Sequence, residues 1–88
     1  MSEGSETTAF DRAVAAEQEA IRLHESTAAR QDALADELDL AAETDSLPRH
    51  REATLSRAAA ARERAAAARR RAEKSRRRLS EEGVEPED

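Results

Sequence analysis

His24 and His50 are the side chains of this 88-residue chain best suited to metal or proton chemistry, and neither sits in a supporting pattern. Carboxylate-bridged metal bundles place a glutamate three residues before a histidine on one helix face. Ile21 and Leu47 occupy those positions here. His24-Glu25 is followed by Ser26, Thr27 and Ala28 instead of a second histidine, so the zinc-protease helix motif is not formed. Cysteine is absent, which removes disulfides, thiolate ligands and thiol nucleophiles. The only two glycines, Gly4 and Gly83, are too far apart to build a phosphate-cradling loop. No serine has histidine and aspartate arranged around it. The expectation is a chain without catalysis, cofactor or metal.

Arginine is the remaining chemistry-bearing residue, outnumbering lysine 14 to 1. Arg69, Arg70 and Arg71, with Arg76, Arg77 and Arg78, could neutralise phosphates, as arginine-rich helices do on nucleic acid. Against this, the first half of the chain is acidic and no aromatic residue interleaves for base stacking. Nucleic-acid binding is therefore the alternative to a protein partner. A membrane partner is not expected, because the basic segment lacks a bulky apolar face and no 18-residue apolar stretch occurs. Without an N-terminal apolar run for a signal peptide, the expected location is the cytoplasm. The arginine and alanine excess points to a high-GC, bacterial genome.

The charges are sorted along the chain. Residues 1–45 carry 12 acidic and 3 basic groups, a charge of −9, whereas residues 46–80 carry 3 acidic and 12 basic groups, +9. The last eight residues add −5. Two oppositely charged halves of similar length around a turn signal imply that the halves pair.

Alanine supplies 21 of the apolar residues, beside seven Leu, two Val and single Ile, Phe and Met. A globular core needs side chains that contribute roughly 1.5–3 kcal/mol each when buried, and this inventory fills only the seam between close helices. Ala, Arg, Leu, Glu and Gln lose little on entering a helix, and strand formers are scarce. Thr8 with Asp11 reads as a helix start. In Thr44-Asp45-Ser46-Leu47-Pro48, Asp45 or Ser46 can cap a second helix, and Pro48 suits its first turn. Gly83 can take the left-handed position after that helix, pairing Leu79 with Val84.

The expected fold is all-α: two long helices, about 8–44 and 47–82, forming an antiparallel coiled-coil hairpin. A disordered leader at 1–7 and an acidic disordered tail at 83–88 flank it. The first helix offers Val14, Ile21, Ala28, Leu34 and Leu38 to the seam. The second offers Thr54, Ala58, Ala61, Ala65, Ala68, Ala72, Ser75 and Leu79, spaced three and four apart. Glu17, His24 and Gln31 interrupt the first stripe, either as a register-fixing network or, the favoured reading, as groups left solvated above small alanines. The turn can be drawn two ways, half a heptad apart. Folding about it brings Asp32 to Arg62 and Glu25 to Arg69. A second arginine row, Arg57, Arg64, Arg71 and Arg78, would lie over Ala13, Ala20, Thr27 and Leu34. Leu23 and Leu40 fall off the seam. A Pro48-kinked rod of about 100 Å is the competing shape.

Ala20-Ile21-Arg22-Leu23-His24-Glu25, Leu47-Pro48-Arg49-His50-Arg51-Glu52-Ala53 and the Ala/Arg/Glu-rich second helix resemble a loose group of short actinobacterial helical-hairpin proteins. The likeness covers about residues 9–75. It implies a helical hairpin and carries over no functional residues. The expected function is a non-catalytic protein–protein interaction module, self-associating into a four-helix bundle or docking on another protein's helices. With 40% charged residues, folding only on meeting a partner is a third reading.

Overall fold

A computed structural model describes residues 8–86 as two helices in contact along their length. α1 spans Ala9–Glu43 and α2 spans Pro48–Glu81. Ala28 packs with Ala65 and Ala68, and Ala35 with Ala58 and Ala61, so the helices run antiparallel. The molecule measures 70 × 25 × 19 Å, which is the hairpin and not the rod. Among the described residues there is no strand. The leader expected at 1–7 and the final positions 87 and 88 lie outside the described residues.

The helix ends follow from local chemistry. Thr8 is extended, and its Oγ1 accepts a hydrogen bond of 3.0 Å from the Asp11 N–H, which satisfies one orphan donor of the first turn. α2 starts differently from the sequence expectation. Its N-cap is Leu47, whose side chain cannot cap, and neither Asp45 nor Ser46 fills that role. Pro48 holds the first helical position, contributes no N–H and forces the residue before it into extended geometry. The Asp45 carboxylate instead accepts from the Leu47 N–H at 2.9 Å, and the Asp45 carbonyl accepts from Arg51 Nη2 at 2.7 Å. The acidic residue closes the turn.

α2 ends in a Schellman motif. The Val84 N–H donates to the Leu79 carbonyl at 2.9 Å and the Gly83 N–H to Ser80 at 3.0 Å. Gly83 has a φ of 83°, a region where a side chain strains the backbone. Gly83 and half-buried Val84 thus form the helix ending expected with Leu79 from the sequence.

All eight residues of the α2 stripe, Thr54 through Leu79, are buried. On α1 only Ala28, Ala35 and Ala42 are buried, while Val14, Ile21 and Leu38 are half-buried. Leu79 is the one large apolar side chain among the buried residues. A methyl contributes about 0.8 kcal/mol on burial, so this seam is weak per residue and depends on its length.

Leu34 is a correction. Counted with the seam from sequence, it stands 38% exposed at the seam's edge. From Thr54 to Ser75 α2 presents only small side chains, and over that stretch the contact narrows to a line. Side chains a quarter turn from that line stay outside.

Candidate functional site

Arginines of α2 close both flanks of the seam on acids or amides of α1. On one flank Arg69 pairs with Asp32 and Arg76 with Glu25, while Arg62 bridges Asp39 at 2.5 Å and Asp36 at 3.2 Å. The expected partners Asp32 for Arg62 and Glu25 for Arg69 are thus each displaced by one heptad. The alanine layers do put the Arg62 backbone level with Asp32. Helical side chains, however, lean toward their helix's N-terminus, which for α2 is the turn. The long guanidinium stems therefore meet α1 nearer the turn than their own level. The Asp39 hydrogen bond, supported by the Asp39 charge and by Asp36, raises the Arg62 pKa above its ordinary value against a smaller opposing desolvation.

The other flank also differs from expectation. Arg64 Nε donates to Gln31 Oε1 at 2.9 Å, and Arg78 lies 3.2 Å from Glu17. Arg57 stays on its own helix, with Nη2 3.5 Å from Thr54 Oγ1. Gln31 and Glu17 are thus partnered and not merely solvated, and Arg64 and Arg78 reach across the seam to them instead of covering the Ala13–Leu34 row. His24 is half-buried within the same row. His50 is exposed at the turn, Nδ1 3.9 Å from Asp45, so the histidines are far apart. Among the described residues no group of three or more His, Asp or Glu is placed to hold a metal ion. No helix of the described residues is long and apolar enough to cross a membrane.

This pairing sorts the six candidate phosphate-contacting arginines. Arg69, Arg76 and Arg78 are engaged with α1 carboxylates. Arg70, Arg71 and Arg77, together with Lys74, remain exposed on the outer surface of α2 with no acidic partner among the described residues. The sequence places Arg69 on one flank of the seam and Arg71 and Arg78 on the other; of these three only Arg71 has no acidic partner among the described residues.

The outer face of α1 carries the signal that sequence reasoning underused. Leu23 is 57% exposed and Leu34 38%. They are eleven residues apart, which is three turns plus about 20°, so they share a face. Ala16, Ala20, Thr27 and Ala41 continue that stripe at spacings of three, four and seven. At about 100° per residue it lies roughly 110° round α1 from the alanine seam. Two shallow grooves also occur, one along the Arg69–Arg76 flank and one at the open end, floored by Ile21, Leu79, Val84 and Pro86. Both grooves include the paired Glu25 and Arg76 together with Glu73; the first adds Arg69 and Arg70, the second Gln18, Arg22, Arg77, Ser80 and Glu85. In comparisons with family models, curated proteins and solved structures, none matches this chain.

Proposed function

We propose that this chain is a non-catalytic helical-hairpin interaction module of the cytoplasm whose business is contact with protein helices, its own or another protein's. The observation that carries the reading is the inverted placement of its apolar side chains. Alanines fill the inside, whereas Phe10, Leu23, Leu34, Leu40, Leu47 and Leu55 are exposed. A hairpin that needed only its own fold would bury these leucines, since each contributes more than an alanine does. Of these, Leu23 and Leu34 share one face of α1, and exposed large apolar side chains on a shared face mark interaction surfaces.

The test is affinity capture from the source cells with quantitative mass spectrometry, comparing the native chain with a Leu23→Asp/Leu34→Asp variant. Both sites are exposed, so the variant keeps its helical circular dichroism. Proteins held by the native chain, including untagged copies of itself, should fall at least about tenfold with the variant, the loss expected when apolar anchors become charged. Equal recovery by both chains contradicts the reading.

The exposed Arg70, Arg71, Lys74 and Arg77 favour a second reading, contact with phosphates of nucleic acid. A mobility shift at moderate salt that vanishes when these four are replaced would support it.

A further inference from the structure

We infer that the outer surface of α2 between Arg70 and Arg77 is a landing site for duplex nucleic acid, which it holds by the phosphates without reading the sequence. This rests on the phosphate-contact reading and names the form of the polymer and the way it is held.

Residues 64–80 hold eight basic side chains and a single acid, Glu73. The fold sorts the eight by direction. Arg69, Arg76 and Arg78 turn to Asp32, Glu25 and Glu17 of α1, and Arg64 turns to Gln31. Arg70, Arg71, Lys74 and Arg77 are exposed and have no acidic partner among the described residues. At about 100° per residue these four share one arc of roughly 120° on the side of α2 away from the seam. Glu73 lies on the flank, 3.8 Å from Arg76. Glu63, about two turns before Arg70, and Glu81, about one turn beyond Arg77, bound the basic stretch on its own face.

A net charge of −5 opposes a polyanion only if the acids stand near it. Asp32, Glu25 and Glu17 are held against arginines at the flanks of the seam. The body of α2, about 10 Å across, separates them from the outer arc. That distance is a full screening length at about 0.1 M salt. The acidic end of the chain is drawn the same way: Glu85 and Pro86 line the open-end groove with Gln18 and Arg22 of α1.

What the surface lacks selects the polymer. Single strands are gripped by stacking bases on aromatic rings, and the one aromatic of the chain, Phe10, belongs to the first turn of α1. No large apolar side chain stands among the four cations to enter a membrane. A duplex instead offers one phosphate per about 1.7 Å of axis, so the roughly 10 Å from Arg70 to Arg77 spans about six, enough for each cation to meet one. Cations on phosphate fix position and carry no sequence information. α2 also has no Asn or Gln, the side chains that read adenine.

Fluorescence anisotropy on the full chain tests the site, with two DNA duplexes of about 20 base pairs and unrelated sequence, and the single strand of one of them. Four phosphate contacts give a slope of log K on log salt of about −3.6, a loss of about 150-fold between 50 and 200 mM NaCl, the same for both duplexes. Lys74→Gln, which keeps a good helix former, should reduce that slope by about 0.9. Arg30→Gln, exposed on α1, should leave it unchanged. A slope that Lys74→Gln does not move, or that Arg30→Gln moves equally, overturns the placement. A difference above about tenfold between the duplexes overturns the sequence-neutral mode. Single strand bound as tightly as duplex overturns the choice of polymer and leaves phosphate contact standing. Binding to phosphatidylserine vesicles and to neither DNA at 50 mM NaCl overturns nucleic acid as the partner. Binding to none of the three overturns the phosphate-contact reading with it.

Discussion

Ala65→Asp should abolish most of the helical circular dichroism of the chain at 25 °C, whereas Ala60→Asp should leave it nearly unchanged. Ala65 is wholly buried between Ala28 and Ala68, and Ala60 is exposed on the same helix. Both substitutions carry the same loss of helix propensity, up to about 0.7 kcal/mol. Only at position 65 does the carboxylate enter a line of contact closed on both sides. Its short stem cannot reach water, so either the helices part or the charge is desolvated, at a cost of about 3 kcal/mol or more. A domain of this size has roughly 4–13 kcal/mol in total. An alanine seam puts this molecule at the lower end of that range. Thermal unfolding of the pair separates packing from propensity: similar melting temperatures would show that the seam does not hold the helices together.

Reversing the acids of the outer flank should be nearly as damaging and, unlike the seam substitution, repairable. In Glu25→Arg/Asp32→Arg the partners Arg76 and Arg69 face like charges instead of carboxylates. All four side chains are substantially exposed, and such pairs contribute on the order of 0.2–1 kcal/mol each. Replacing attraction by repulsion at two rungs roughly doubles that, for a loss of about 1–4 kcal/mol. Two further results are expected. Salt at 1 M, where the screening length falls to about 3 Å, should recover much of the loss. Adding Arg69→Glu and Arg76→Glu should restore the melting temperature by exchanging the signs within each rung. The rung partners make this a test of register as well. Had Asp32 faced Arg62 and Glu25 faced Arg69, the four substitutions would repair the 25–69 rung alone and leave the 32–62 rung repulsive, so recovery would be only partial.

The residues that were readable from sequence are those whose position depends on backbone periodicity alone. The α2 stripe of Thr54, Ala58, Ala61, Ala65, Ala68, Ala72, Ser75 and Leu79 keeps strict three–four spacing, and each member is buried. Both helices end within a residue of the boundaries expected from Thr8, Pro48 and Gly83, each of which has one conformational preference strong enough to act locally. Where side-chain length matters, sequence reasoning went astray. Arg62 reaches Asp39, about a heptad past its own level, because side chains on the two antiparallel helices lean toward each other, which no helical-wheel drawing contains. Leu34 was placed inside because it is large and apolar. Leu34 lies about a quarter turn from the line of contact and stays outside, whereas Leu38, nearer that line, packs against Ala35, Ala58 and Ala61. Glu17 and Gln31 look like interruptions of an apolar row until Arg78 and Arg64 arrive from the opposite helix.

The antiparallel closure of α1 on α2 is tested most directly by a spin-label distance across the open end. Ala15→Cys and Ser80→Cys mark exposed positions that the alanine layers bring level with each other. The labelled chain is diluted in unlabelled protein so that only distances within one chain register. With axes about 8–10 Å apart, the hairpin gives a narrow distribution below roughly 30 Å, label stems included. A distribution centred near 100 Å, the span of 65 helical residues at about 1.5 Å each, would mean an extended chain and contradict the fold.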